Sequence, residues 1–311
     1  MATTSVEYIL GPPPPNYSLA FEPFLYNQEG FLALKDYPIQ SFYAIDHWKR
    51  SIEARIHFVI SQQYDGTLRA ISLPELPFGS LEYSASLSKD QISDFLSFVK
   101  EELTQQNVKS IEIQDCIPPY RTEDCIVYQA LRKSHYQIID KQVNYHISVD
   151  DQPLATKVKA GQRNKLNKAT KANFTAIVEP PEKLTEIYQF IEMSYQTRQR
   201  KLSLSLRDLL NYARVYPSNY LLFSVYHLQA RVAACIAVRV SSSIVYTFYY
   251  TALLTYSSYS PTVLLLSHIY QYCQSNDIAL LDLGIGAESI QNFKRRMGGM
   301  RSYKRSYLLR W

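Results

Sequence analysis

Nowhere in the 311 residues does an apolar run reach the roughly 20 that a membrane-spanning helix needs. The longest comparable stretch, Val232–Val238, has the length of a buried strand. The opening MATTSVEYILGPPPP has no basic segment ahead of an apolar core, so no secretory signal is expected. Four cysteines, Cys116, Cys125, Cys235 and Cys273, lack the paired spacing of a zinc site and are too few for a disulfide scaffold. No G-x-x-x-x-G-K-[ST] loop, Ser-His-Asp arrangement, metal-ligand spacing or sustained heptad pattern is present either. The expectation is a soluble, cytoplasmic protein kept in a reducing compartment, without a metal.

What is present is an ordinary core-forming composition, 46% hydrophobic and 20% charged, in a chain long enough for two domains. The net charge of +5 conceals a split. Residues 1–150 hold 12 Lys and Arg against 19 Asp and Glu, whereas residues 151–311 hold 21 against 9. A second half at +12 suits an anionic partner: a phosphate-bearing cofactor, nucleic acid or a membrane surface. Solubility alone is also served by such a split. The 26 tyrosines fall mostly in strand-like runs, which suits half-buried sheets and clefts but specifies no chemistry.

The first 20 or so residues, ending in the run Gly11 to Pro15, read as an extended arm. Patterning predicts a helix over 41–49, then strands over 54–61 and 68–73. A helix over 89–103 follows, with Ser88 and Gln91 forming a capping box and Ile92, Phe95, Leu96, Val99 and Leu103 on one face. A strand over 109–114, a helix over 126–134 and a strand over 143–149 close the first half. In the second half a helix is expected over 181–199, strands over 220–228, 231–240 and 243–253, and a helix over 261–274 led by Ser260 as N-cap and Pro261. A strand over 279–283, a helix over 288–297 and a strand over 303–310 complete it. The closing helix–strand–helix–strand order repeats at an offset near 160–170 residues, which points to a tandem duplication. The expected division is an arm at 1–20, a first domain at 21–150 and a second at 151–311.

Three features of the second half carry chemistry. The segment from Lys157 to Lys171, KVKAGQRNKLNKATK, has six basic residues and lies in an acid-free stretch from Asp151 to Glu179. A solvated linker helix and a phosphate-holding one share that composition. The junction from Tyr256 through Ser257, Ser258, Tyr259, Ser260, Pro261 and Thr262 opens a helix, where unpaired N–H groups make an anion site. Ordinary capping would look the same. The third is the block Ser289 to Gly299, with the basic run Lys294-Arg295-Arg296 and a Gly298-Gly299 stop, preceded by the strand and glycine loop Leu280 to Gly286. Strand 243–253 places Tyr246, Phe248 and Tyr250 on one face and Thr247, Tyr249 and Thr251 on the other. His268 reads as a core histidine, His227 as a weaker candidate base, and Asp282 as a structural acceptor for loop amides.

Ser260-Pro261, Leu264-Leu265, Asp282-Leu283-Gly284, Asn292-Phe293-Lys294 and Met297-Gly298-Gly299 follow one another in an order that resembles the Fem-like branch of the GNAT acyltransferase superfamily. The basic run Arg163 to Lys171 and the two-part organisation resemble it too. The resemblance implies an α+β fold of two tandem GNAT-like domains, each a mixed, mostly antiparallel sheet flanked by helices. It implies N-acyl transfer from acetyl-CoA or another acyl-CoA, or from aminoacyl-tRNA, to an amine on a small molecule, amino sugar or peptide. The family's functional lysine carries over onto Lys294, where a fixed cation would stabilise charge on the reacting carbonyl. With it the expected catalytic group is Tyr250. The expected donor-binding residues are Tyr256, Ser257, Ser258, Ser260, Thr262 and Phe293. Two departures stand out: the 257–262 loop has no glycine where GNAT enzymes cradle pyrophosphate, and no coiled-coil arm is present. A non-catalytic scaffold binding an anionic ligand is the alternative, and a nucleic-acid-binding protein a third. The first half lacks the Phe-Lys and glycine-pair features, so it is expected not to catalyse.

Overall fold

The computed structural model describes residues 6–121 and 124–311. The chain divides into two compact units, Met1–Gln142 with Tyr303–Trp311, and Val143–Ser302.

Unit 1 begins with strands β1 (Val6–Leu10) and β2 (Ser18–Leu19) and the one-turn helix α1 (Glu29–Leu32). Strands β3 (Gln40–Asp46), β4 (Ser51–Gln62), β5 (Leu68–Ile71) and β6 (Glu82–Tyr83) follow, then helix α2 (Lys89–Gln105), strand β7 (Val108–Gln114) and helix α3 (Asp124–Lys133). Both halves of the Ser88–Gln91 capping box form, and the predicted apolar face of α2 is buried in the unit 1 core. Two expectations fail here. Residues 41–49 are not helical: β3 occupies them as far as Asp46, a turn takes up 47–49, and Phe42 to Asp46 are all buried. A strand covered on both faces loses the alternation that would have marked it. The supposed arm contains β1, which pairs antiparallel with β3 from Val6↔Asp46 to Leu10↔Phe42.

Strand β8 (Gln137–Ser148) leads into unit 2. There follow α4 (Leu154–Lys157), α5 (Ala160–Lys171), β9 (Phe174–Glu179), α6 (Leu184–Gln196), α7 (Leu206–Val215), β10 (Tyr220–His227), β11 (Ala230–Ser241) and β12 (Ile244–Ala252). Then come α8 (Pro261–Ser275), β13 (Leu280–Ile285), α9 (Glu288–Arg296) and β14 (Met300–Arg310). Strand β9 and helix α7 were not foreseen. The latter has a legible start, since the Ser205 hydroxyl accepts from the Asp208 amide at 3.1 Å.

Within each unit the sheet is antiparallel apart from one central parallel pair bridged by a helix, and, in unit 1, the two-residue β2 beside β4. In unit 1 the pair is β5 and β7, spanned by α2. In unit 2 it is β12 and β13, spanned by α8. The duplication read from element order is thus a repeated topology. The strand that closes each repeat is exchanged, however. Residues 144–148 of β8, which follow α3, pair with β13, and residues 306–310 of β14, which follow α9, pair with β7. The division therefore differs from the expected cut at 150/151, and residues 303–311 belong to unit 1. A strand's own periodicity says which face it buries but not which neighbour it joins.

Candidate functional site

Strands β12 and β13 run side by side only from Ile244↔Leu280 to Tyr246↔Asp282. Beyond that point β12 continues to Ala252 and β13 to Ile285 without pairing to each other. A bulge between Asp282 and Gly284 in the β13–β8 ladder accompanies the splay. Gly284 has φ +73°, and a Cβ there would lie 2.9 Å from the Tyr246 ring, so both backbone and space require glycine. The Asp282 carboxylate braces the bulge by accepting from the Gly284 amide and from Asn144 Nδ2, each at 2.7 Å. Asp282 therefore does what the sequence suggested, bonding loop amides.

The splay opens onto a cavity of about 480 Å³ whose walls come from the far half of β12, the start of α8, the end of β13 and helix α9. Lys165, Arg198, Arg200 and Lys294 line it, and among the described lining residues there is no carboxylate and no histidine. Arg198 is locked in place: Nη1 donates to the Ser194 carbonyl (2.7 Å) and Thr251 Oγ1 (3.1 Å), and Nη2 to the Ala252 carbonyl (2.5 Å). Sequence patterning does not single out either arginine: Arg198, Arg200 and Lys201 form a short basic cluster beyond the end of α6, and nothing in it says which members turn toward a cavity.

Lys294 projects from α9 and is 1% exposed, not the surface lysine of a basic tail. Its Nζ donates to the carbonyls of Gly284 at 2.9 Å and Ile285 at 2.8 Å. These carbonyls stand where β13 has parted from β12, so the ammonium serves strand ends that the splay deprives of a partner. Burial lowers its pKa to about 8, against an opposing pull from the Asp282 carboxylate. Gln291 Nε2 holds the Gly286 carbonyl at 2.9 Å, and Gly298 (φ +85°) ends α9 in the left-handed region.

Tyr250 also lines the cavity, and its buried hydroxyl has no hydrogen-bond partner among the described residues. Burial pushes its pKa up, so the hydroxyl stays protonated. Tyr246 and Phe248 line the same space, whereas Tyr249 is spent on the 203–204 loop, accepting from the Leu204 amide at 2.9 Å. Ser257, Ser260, Thr262 and Phe293 line the cavity. Tyr256 and Ser258 are not among the residues lining it: the Tyr256 ring packs on Phe174 and His227, and the Ser258 carbonyl accepts from Lys168 Nζ at 3.0 Å. Ser260 stands at the N-cap of α8, but its hydroxyl does not cap. Its backbone is left-handed (φ 53°, ψ 53°), so serine makes the turn that a glycine would make more easily, and the first amides of α8 have no side-chain cap. His268 packs edge-on to Phe223, and His227 stacks on Phe174 at 4.7 Å, neither of them a lining residue.

The profile described as "Acetyltransferase (GNAT) domain" matches residues 146–304, half of the chain. The chain belongs to this family. No curated protein matches the sequence. Among solved structures, FemX superposes with a TM-score of 0.71 at 12% identity over 94% of each chain. L-PGS from Bacillus licheniformis gives 0.54 at 14% identity, over 82% of this GNAT chain and 80% of the other. A conserved protein of unknown function from Bacteroides thetaiotaomicron gives 0.59 at 12%, over 92% and 90%. At these identities the likeness is one of fold. No described helix of the GNAT chain is long and apolar enough to cross a membrane.

Proposed function

We propose that unit 2 transfers an acyl group from an activated donor, an acyl-CoA or an aminoacyl-tRNA, to the amine of a small molecule, amino sugar or peptide. The observation that carries this reading is Lys294. A tetrahedral ammonium with two N–H groups on the Gly284 and Ile285 carbonyls keeps one for the cavity that it lines. That donor is fixed, desolvated and free of an ion pair among the described residues, the condition in which it best stabilises negative charge on a carbonyl under attack. As the amine nitrogen bonds to the acyl carbon, the bond to the leaving sulfur or oxygen breaks. The protonated Tyr250 hydroxyl supplies the leaving atom's proton; the amine's proton passes to water, since no carboxylate or histidine is among the described lining residues, and water returns a proton to Tyr250. Phe293, Ser257, Ser260 and Thr262, with the Thr262 amide at the start of α8, would hold the donor.

Four cations without a lining carboxylate favour an anionic occupant, and this also fits a scaffold that binds such a ligand without turnover. Calorimetric titration with acetyl-CoA and longer acyl-CoAs, followed by charged tRNA, separates the two. Micromolar binding of one donor, with acyl transfer to an amine panel, is the expected result. Binding without transfer to any amine would leave the scaffold, and no binding of either donor class would remove the acyltransferase reading.

A further inference from the structure

We infer that unit 2 carries a second anion site, a phosphate-binding depression at the start of α5 that adjoins the acyl-transfer cavity through Lys165. The two basic stretches of the sequence, from Lys157 to Lys171 and from Lys294 to Arg296, lie more than a hundred residues apart. The fold brings them together. A depression of about 340 Å³ is lined by Lys159, Gly161, Gln162, Lys165, Arg295 and Arg296, with no carboxylate among them. The Lys159 amide donates to the Arg296 carbonyl at 2.9 Å, which ties the start of α5 to the end of α9. None of the four cations has an ion-pair partner among the described residues, and Arg295 gives one N–H to Asn292 Oδ1 at 3.2 Å.

Two further observations point to a ligand. The N-cap of α5 is Lys159, which offers no side-chain cap. The Gln162 and Arg163 amides turn back to the Lys159 carbonyl at 2.8 and 3.2 Å, leaving those of Ala160 and Gly161 without a partner among the described residues. The Gln162 side chain is 3% exposed, lines the depression, and its amide oxygen has no hydrogen-bond partner. A half-turn of that amide plane presents its NH₂ instead. A buried amide in this state is costly until a ligand completes it. Gly161 also has open space beside it: a Cβ there would meet nothing within 4 Å, so a side chain can be placed in the depression without a clash.

Helix amides, a buried amide side chain and four unpaired cations suit a phosphate group. Because Lys165 lines both spaces, the ligand is the nucleotide end of the acyl donor, with its reacting end beside Lys294. Naming it as the donor rests on the acyl-transfer reading; the phosphate site itself does not. The test uses the intact chain and two acyl-free probes, adenosine 3′,5′-bisphosphate and a short RNA hairpin, titrated at several salt concentrations. Gly161→Glu is the principal variant, since a glutamate suits a helix's first turn and places an anion in the depression. Its melting temperature should not fall, while affinity for the bound probe should drop at least tenfold. Arg295→Ala with Arg296→Ala should flatten the dependence of log Kd on log salt by one to two units of slope. Lys294→Ala should keep probe affinity even if it abolishes acyl transfer, so the two readings fail separately. Binding of the bisphosphate would identify a CoA-type source, and binding of the hairpin alone a tRNA. Failure of both probes to bind, or affinities unchanged in Gly161→Glu and the double arginine variant, would overturn the site.

Discussion

Burial lowers the pKa of Lys294 to about 8 against the pull of the Asp282 carboxylate, which places its titration inside the accessible range. If the protonated form is the working one, acyl transfer falls as pH rises through about 8. Lys294→Arg, which stays charged, should lose that falling limb in a pH–rate profile even where its absolute rate is lower. Stability has the opposite sign. A lysine whose folded pKa lies below its ordinary 10.5 disfavours folding in full below about pH 8, and the penalty fades as pH climbs from 8 to 10.5. Denaturant midpoints of the wild type, compared with those of Lys294→Met, should therefore rise across that window. From sequence, Lys294 was legible only through its neighbours Asn292 and Phe293 and the glycine pair. Nothing in a basic run says that its first member turns inward while Arg295 and Arg296 stay out.

The elements that build the cavity depend on local exceptions to regular structure. The bulge at Gly284 needs both a positive φ and room beneath the Tyr246 ring, so Gly284→Ala should cost about 1–3 kcal/mol in denaturant unfolding and weaken donor binding with it. A cap far from the cavity gives the contrast: Ser205→Ala should cost about 1 kcal/mol while leaving donor affinity unchanged. Elements with a strong period were readable, as α2 shows with its box and its apolar stripe. Strand β3 was not, because a run covered on both faces carries no alternation to set it apart from a helix. The splay itself has no signature in a single chain. It is a failure of two strands to pair, visible only once both are placed.

At the scale of the molecule, the duplication has diverged in charge. Unit 2 holds 18 Lys and Arg against 10 Asp and Glu, a net of +8, and unit 1 is net negative. Unit 1 instead keeps a buried carboxylate: burial pushes Glu53 up, but the Ser84, Ser51 and Ser86 hydroxyls and Lys49 bring it down to about 2. A depressed carboxylate pKa stabilises the fold above 4.5 and ceases to do so as pH falls toward 2. Acid titration of Glu53→Gln should show that limb reduced, with stability at neutral pH lower by about 1–3 kcal/mol. Element order made the repeat legible, whereas the exchange of β8 and β14 was hidden, since neither strand's pattern names its partner. Acyl transfer in the unit 2 cavity with Lys294 as the fixed donor is tested most directly by single-turnover transfer from a saturating donor by wild type and Lys294→Ala. The predicted result is a rate lower by on the order of 10²–10³-fold at unchanged donor Kd; an unchanged rate in the variant would contradict it.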